Sequence, residues 1–181
     1  MASLPTNAQL IKDLSLQRHP EGGYFAETLR TSEVVSSPFA DSHERSLTTA
    51  IYYLLTPDSP KGVIHRNKSL TVHVLHHGRS LYTLIKPGPP GAAPTIRKVV
   101  MGDNAQAGEV RQLVVGGDEW KMSEIPDIDL RSGKDVGCLI TEVVVPGFYW
   151  EDHEYLTQRG LEALFASEPE NIALYASRVK N

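Results

Sequence analysis

Hydrophobic and polar residues alternate with a period of two along most of this chain, and only its ends carry the longer period of a helix. At the start, TNAQLIKDLSL puts Leu10, Ile11 and Leu14 on one stripe. Thr6 or Asn7 can cap it, so a short helix is predicted. His-Pro and Gly-Gly then break the helix in QRHPEGGYFAETLRT, and YFAETLRT reads as a strand. Residues 32–46 show little periodicity and are expected to form a loop. Further strands are predicted at LTTAIYYLL, VIHRN, LTVHVLH, SLYTLIK, IRKVVM, EVRQLVV, EWKMSE and GCLITEVVV. HHGR, KPGPPGAAP, GDNAQAG, GGD and IPDIDLRSGKD punctuate them as turns or loops. About nine short strands so spaced indicate an all-β sandwich or barrel rather than βαβ units. After residue 157, TQRGLEALFASEPENIALYASRVK predicts two short helices separated near Glu168–Pro169.

Composition narrows this picture. The 181 residues suit a single domain, with a barrel core at about 20–156 and a helical segment at about 157–181. A net charge of −4 gives no general reason to expect nucleic acid or an anionic membrane as partner. No run approaches the ~20 apolar residues of a membrane span. MASLPTNAQL lacks the features of a secretory signal, and a cytoplasmic location is expected. Cys138, the one cysteine, lies in the apolar run VGCLITEVVV and reads as a packed thiol.

The candidate chemistry begins in GVIHRNKSLTVHVLHHG, with His65, His73, His76 and His77 within residues 62–78. Alternation from Thr71 puts Thr71, His73 and Leu75 on one face and His76 on the other. His77, before Gly78, falls at a turn facing solvent. A hairpin would bring His65 near His73, leaving two inward histidines rather than four. A metal would need a third ligand from elsewhere, with Glu27, Gln112 and Glu142 available. For His65 and His73, lining a pocket, holding a metal and buried hydrogen bonding all remain open.

HPEGGYFAETLR, TAIYYLLTPDSPKGVIHRN, GEVRQLVVGG and ITEVVVPGFYWEDHEYL together resemble an uncharacterised, RmlC-like branch of the cupin superfamily, from about His19 to Leu156. The resemblance implies a double-stranded β-helix (jelly-roll barrel), commonly a homodimer, enclosing a small-molecule pocket. It also exposes departures from the usual cupin pattern. His65 matches the first metal-ligating histidine, but Asn67, Thr71 and Lys121 stand at the other three ligand positions. No tight metal is therefore expected, the alternative being a divalent ion held through His65 and His73. By analogy with sugar epimerases of this type, His65 would act as base and Tyr52 or Tyr24 as acid. His73, Gln112, Lys121, Glu27, Arg30 and Asn67 are the expected pocket residues. Alternation puts Glu27 and Arg30 on opposite faces, so both reach a pocket only if a bulge intervenes. Phe148 and Trp150 would pack an edge, a dimer surface or a pocket rim, and Asp152 and His153 face opposite sides of a strand.

The expected function is binding of a small polar metabolite, a sugar or sugar phosphate, with metal-independent epimerase or isomerase chemistry. The alternatives are a non-catalytic ligand-binding or storage-like cupin, and a metal-dependent enzyme of the phosphomannose-isomerase or dioxygenase kind.

Overall fold

A computed structural model describes residues 5–41, 43–133 and 135–180. Its strands, in chain order, are β1 (Gln17–Arg18), β2 (Tyr24–Arg30), β3 (Val34–Ser36), β4 (Glu44–Ser46), β5 (Thr49–Leu55), β6 (His65–Asn67) and β7 (Leu70–Gly78). They continue with β8 (Ser80–Lys86), β9 (Thr95–Met101), β10 (Gln112–Val115), β11 (Trp120–Glu124), β12 (Cys138–Val145) and β13 (His153–Tyr155). Two antiparallel sheets face each other. One has the order β1-β2-β5-β12-β7-β10 and the other β13-β6-β11-β8-β9. The architecture is the all-β double-stranded β-helix, with short helices at both ends.

The first predicted helix is α1 (Asn7–Asp13), whose cap Thr6 accepts a hydrogen bond from the Gln9 amide. Its stripe lies on the outer face of the six-stranded sheet, where Leu10 packs with Leu16, Leu54 and Leu139. At the far end, α3 (Gln158–Leu164) and α4 (Pro169–Tyr175) separate at Glu168–Pro169 as predicted. Leu161, Phe165 and Tyr175 cover Ile64, Ile85, Trp120 and Met122 on the outside of the five-stranded sheet. Each helix thus buries one apolar stripe against a sheet face that would otherwise meet water.

Three loop expectations need correction. Residues 34–46 contain the hairpin β3–β4; its side chains are mostly exposed, Arg45 excepted, so no alternation marks it. IPDIDLRSGKD contains the four-residue helix α2 (Asp127–Leu130), whereas GDNAQAG is a turn as expected, with a 3-10 turn at Ala105–Ala107. His77 lies within β7 and is half-buried, because that strand runs on to Gly78. Gly78 has φ +84°, and a Cβ there would stand 1.8 Å from the Gly137 carbonyl oxygen, so no side chain fits.

Inside the barrel the inward positions change character along each strand. Tyr53, Leu55, Leu75, Leu84, Ile140 and Cys138 fill one end with apolar packing. Toward the other end the same strands turn Thr49, Thr71, His73 and Glu142 inward. The Cys138 thiol donates to Ser80 Oγ at 3.2 Å, and burial pushes its pKa up to about 12, as befits a packed thiol.

Candidate functional site

The polar end of the barrel opens into a cavity of about 600 Å³. Its wall includes His19, Glu21, His65, Asn67 and Glu142, with Glu27 and Arg30 nearer the mouth and Phe148, Tyr149 and Trp150 at the rim. The rim is braced from outside. Arg45 of the β3–β4 hairpin pairs with buried Asp152 at 2.7 Å and lays its guanidinium over the Tyr149 ring at 4.2 Å.

Glu21 owes its place to the turn between β1 and β2. Gly22 and Gly23 take φ values of +101° and +72°, and added Cβ atoms would press on the Lys61 and Leu54 carbonyl oxygens at 2.5 and 2.6 Å. The turn closes with the His19 amide donating to the Gly23 carbonyl, while the Glu21 amide donates to His19 Nδ1 at 3.1 Å. The Glu21 carboxylate is thereby buried against two imidazoles. His153 Nε2 donates to Oε1 at 2.7 Å, and His65 Nε2 lies 3.2 Å from Oε2. Burial alone would raise the Glu21 carboxyl, but the surrounding histidines outweigh it and hold the group well below the usual carboxylate range. His65 is pushed down to about 4 by its own burial, against the opposing pull of Glu21. Its Nδ1 donates to the Val63 carbonyl at 3.0 Å, which leaves Nε2 to face Glu21.

Asn67, two residues on, shares the inward face and sits opposite His153 in the β6–β13 register. Its Oδ1 is buried and has no hydrogen-bond partner among the described residues. A buried acceptor left unmatched beside a cavity marks a polar requirement that the described residues do not meet.

Behind Glu142 lies a second cluster. Lys121 Nζ is salt-bridged to Glu142 Oε1 and donates to His73 Nε2 at 3.2 Å, with Thr71 Oγ1 at 3.5 Å. His73 Nδ1 meets the Tyr82 hydroxyl at 3.0 Å. Burial drives His73 down to about 3 despite the nearby Glu142 carboxylate. Burial would raise Glu142, but Lys121 and His73 hold it at about 2. Every histidine nitrogen in this cluster is engaged.

Of the expected site residues, His65, Asn67, Glu27 and Arg30 line the cavity, while His73 and Lys121 are buried behind its wall. Glu27 and Arg30 both reach it because β2 has a register shift between Glu27 and Leu29. Arg30 is already held bidentately by Glu27 and donates to the Phe148 carbonyl. Tyr24 and Tyr52 are not in the cavity. They pack with α1 on the outer face of the sheet, Tyr24 bonding to Asp58 and Tyr52 stacking edge-on against His76. Gln112 is also outside, since the inward residues of β10 are Leu113 and Val115. His65 and His73 do not meet through a hairpin: β6 and β7 belong to opposite sheets, and His65 pairs in register with Lys121. His153 and His19 were absent from the expected set. Asp152 and His153 are not neighbours on one strand, since Asp152 ends the 3-10 turn Trp150–Asp152 and β13 begins at His153; sequence gives no sign that His153 turns inward toward Glu21.

Two facing antiparallel sheets closed around a polar cavity define a barrel of the cupin type. The usual cupin metal position does not fit an ion here, because the cationic end of Lys121, ringed by Glu142, His73 and Thr71, stands where a ligand would be needed. The chain belongs to the cupin superfamily: the family described as Cupin superfamily (DUF985) matches residues 8–156. It is 41% identical over 157 residues to the "Uncharacterized protein YML079W" of Saccharomyces cerevisiae, covering 82% of this chain and 74% of that one. A hypothetical protein from Leishmania major superposes with a TM-score of 0.80 at 30% identity, covering 94% of this chain and 98% of the other. Protein SO0799 from Shewanella oneidensis gives a TM-score of 0.76 at 25% identity, covering 98% and 99% respectively. No helix among the described residues is long and apolar enough to cross a membrane.

Proposed function

We propose that this cupin binds a small polar metabolite in the cavity and moves a proton on it, as an epimerase or isomerase does. The observation that carries this reading is His65. Its Nδ1–H is fixed on the Val63 carbonyl, so the Nε2 lone pair is offered at the cavity wall beside Glu21. A base held in one tautomer by a backbone acceptor can take up a proton on Nε2, and the adjacent Glu21 carboxylate would then stabilise the imidazolium that forms. Tyr24 and Tyr52 have no part in this scheme, since their hydroxyls lie outside the barrel.

The lining favours a hydroxyl-rich sugar over a sugar phosphate. Glu21, Glu27 and Glu142 outnumber the one wall guanidinium, Arg30, which Glu27 already neutralises. Phe148 and Trp150 supply apolar surface for a sugar ring.

The test starts with native mass spectrometry of gently purified protein to identify a co-purifying metabolite. That compound is then incubated with the protein in deuterated water. Incorporation of deuterium by wild type and its loss in His65→Gln, with binding retained, is the expected result. Binding without incorporation by wild type would favour the second reading, a non-catalytic ligand-binding cupin.

Pairing of two copies is part of the same proposal. The outer face of the six-stranded sheet leaves Leu70, Val74, Val114 and Val145 exposed side by side, an apolar surface suited to a second copy. Sedimentation showing a dimer for wild type and monomer for Val114→Lys is expected.

A further inference from the structure

The contact between His65 and Glu21 is the least settled in the barrel. With Nδ1 donating to Val63, the Nε2 of a neutral His65 carries a lone pair and no hydrogen. Nε2 stands 3.2 Å from Glu21 Oε2 in a buried setting, so the place between them is one for a proton or a metal ion. Without either, the nitrogen and oxygen lone pairs would repel. On the other side of the carboxylate, His153 Nε2 is 2.7 Å from Oε1, and the two imidazoles stack with 20° between planes and 5.4 Å between centroids.

The three ligand atoms all lie within 4.8 Å of one another. Nitrogen and oxygen ligands at ~2.0–2.2 Å from one ion have mutual separations compatible with this spacing. Glu21 and His65 line the cavity, as does Asn67, which sits opposite His153 in the sheet.

We propose that Glu21, His65 and His153 form a binding site for a zinc-class divalent metal ion, with an open coordination position facing the cavity. The site shares only His65 with the usual cupin ligand positions and avoids Lys121 altogether. On loading, His153 shifts its hydrogen from Nε2 to Nδ1, so that Nε2 becomes a ligand in place of the N–H donated to Glu21. His65 needs no such change, since its Nδ1–H already faces a backbone carbonyl, the outer partner that metal-bound imidazoles commonly have. The metal takes the lone pair used in the proton transfer proposed above, so loading and that reaction exclude each other. The inference goes beyond that reading and is tested by binding alone, without turnover.

Chelator-stripped full-length protein is titrated with Co²⁺ and with Zn²⁺, followed by calorimetry and by the visible absorption of bound Co²⁺. One ion per chain is expected, with Zn²⁺ displacing Co²⁺ and its absorption bands. His153→Ala and Glu21→Gln should each weaken binding by about 100-fold or more, a loss at least as large as that for second-sphere residues. His73→Gln should leave it within about threefold, because His73 belongs to the Lys121 cluster. Circular dichroism establishes that each variant is folded, and the wild-type titration stands whichever variants fold. No stoichiometric binding by wild type, full binding by folded His153→Ala, or loss in folded His73→Gln equal to that in His153→Ala would each overturn the proposal.

Discussion

Two polar clusters share one end of the barrel, and they differ in how their hydrogen-bonding capacity is used. Around Lys121 the groups are matched: the ammonium meets Glu142, His73 and Thr71, and His73 meets Tyr82 on its other side. Around Glu21 they are not. His65 turns a lone pair toward a carboxylate, and Asn67 leaves an acceptor empty. A closed network fixes structure, because removing any member strands a buried partner. An open one bordering a cavity is left to be completed by something that enters. The difference separates groups that hold this barrel together from groups available for chemistry.

The largest expected effect breaks the closed cluster. Lys121→Ala leaves Glu142 and His73 without their shared donor and should cost about 3–5 kcal/mol in urea denaturation. The double variant Lys121→Met with Glu142→Leu should recover most of that loss, since it removes both charges.

Acid probes the same cluster. The Glu142 carboxyl is held at about 2 against its ordinary 4.5, so its contribution is complete above pH ~4.5 and is lost as pH falls toward about 2. The melting temperature of wild type should therefore fall more steeply across that window than that of Glu142→Gln.

Smaller effects set the two histidines against each other. His73→Ala should cost about 1–3 kcal/mol by leaving Lys121 and Tyr82 short of a partner. His65→Gln should cost about 1 kcal/mol or less, because water from the cavity can replace the lost contacts. Asn67→Ala should change stability least, by less than about 1 kcal/mol, since Oδ1 gives up no partner. Equal losses at His65 and His73 would erase the distinction between the clusters.

The strands and both sets of terminal helices were legible because burial of one face imposes a period that survives in the sequence, and the barrel class followed from the resemblance to cupins. The hairpin at residues 34–46 was not, because exposed strands carry no such period. Gln112, an expected pocket residue, illustrates a parity error, because Leu113 and Val115 occupy the inward positions of β10. The bulge in β2 that brings Glu27 and Arg30 to one cavity follows from pairing with β5, which neither residue encodes locally.

What the sequence by itself determined was an all-β sandwich or barrel and the shared face of Thr71 and His73, while its resemblance to cupins implied the class of barrel and the replacement of the usual metal ligands by Asn67, Thr71 and Lys121. Alternation is local, and it sufficed for the strands and their faces. The tertiary structure alone decided that His65 and His73 serve different clusters, and that Glu21 and His153, 132 positions apart, meet beside His65. Those contacts depend on how two sheets close over one another and on a Gly-Gly turn pressed against neighbouring backbone. Such closure is a property of the whole chain, so no single stretch of it could show them.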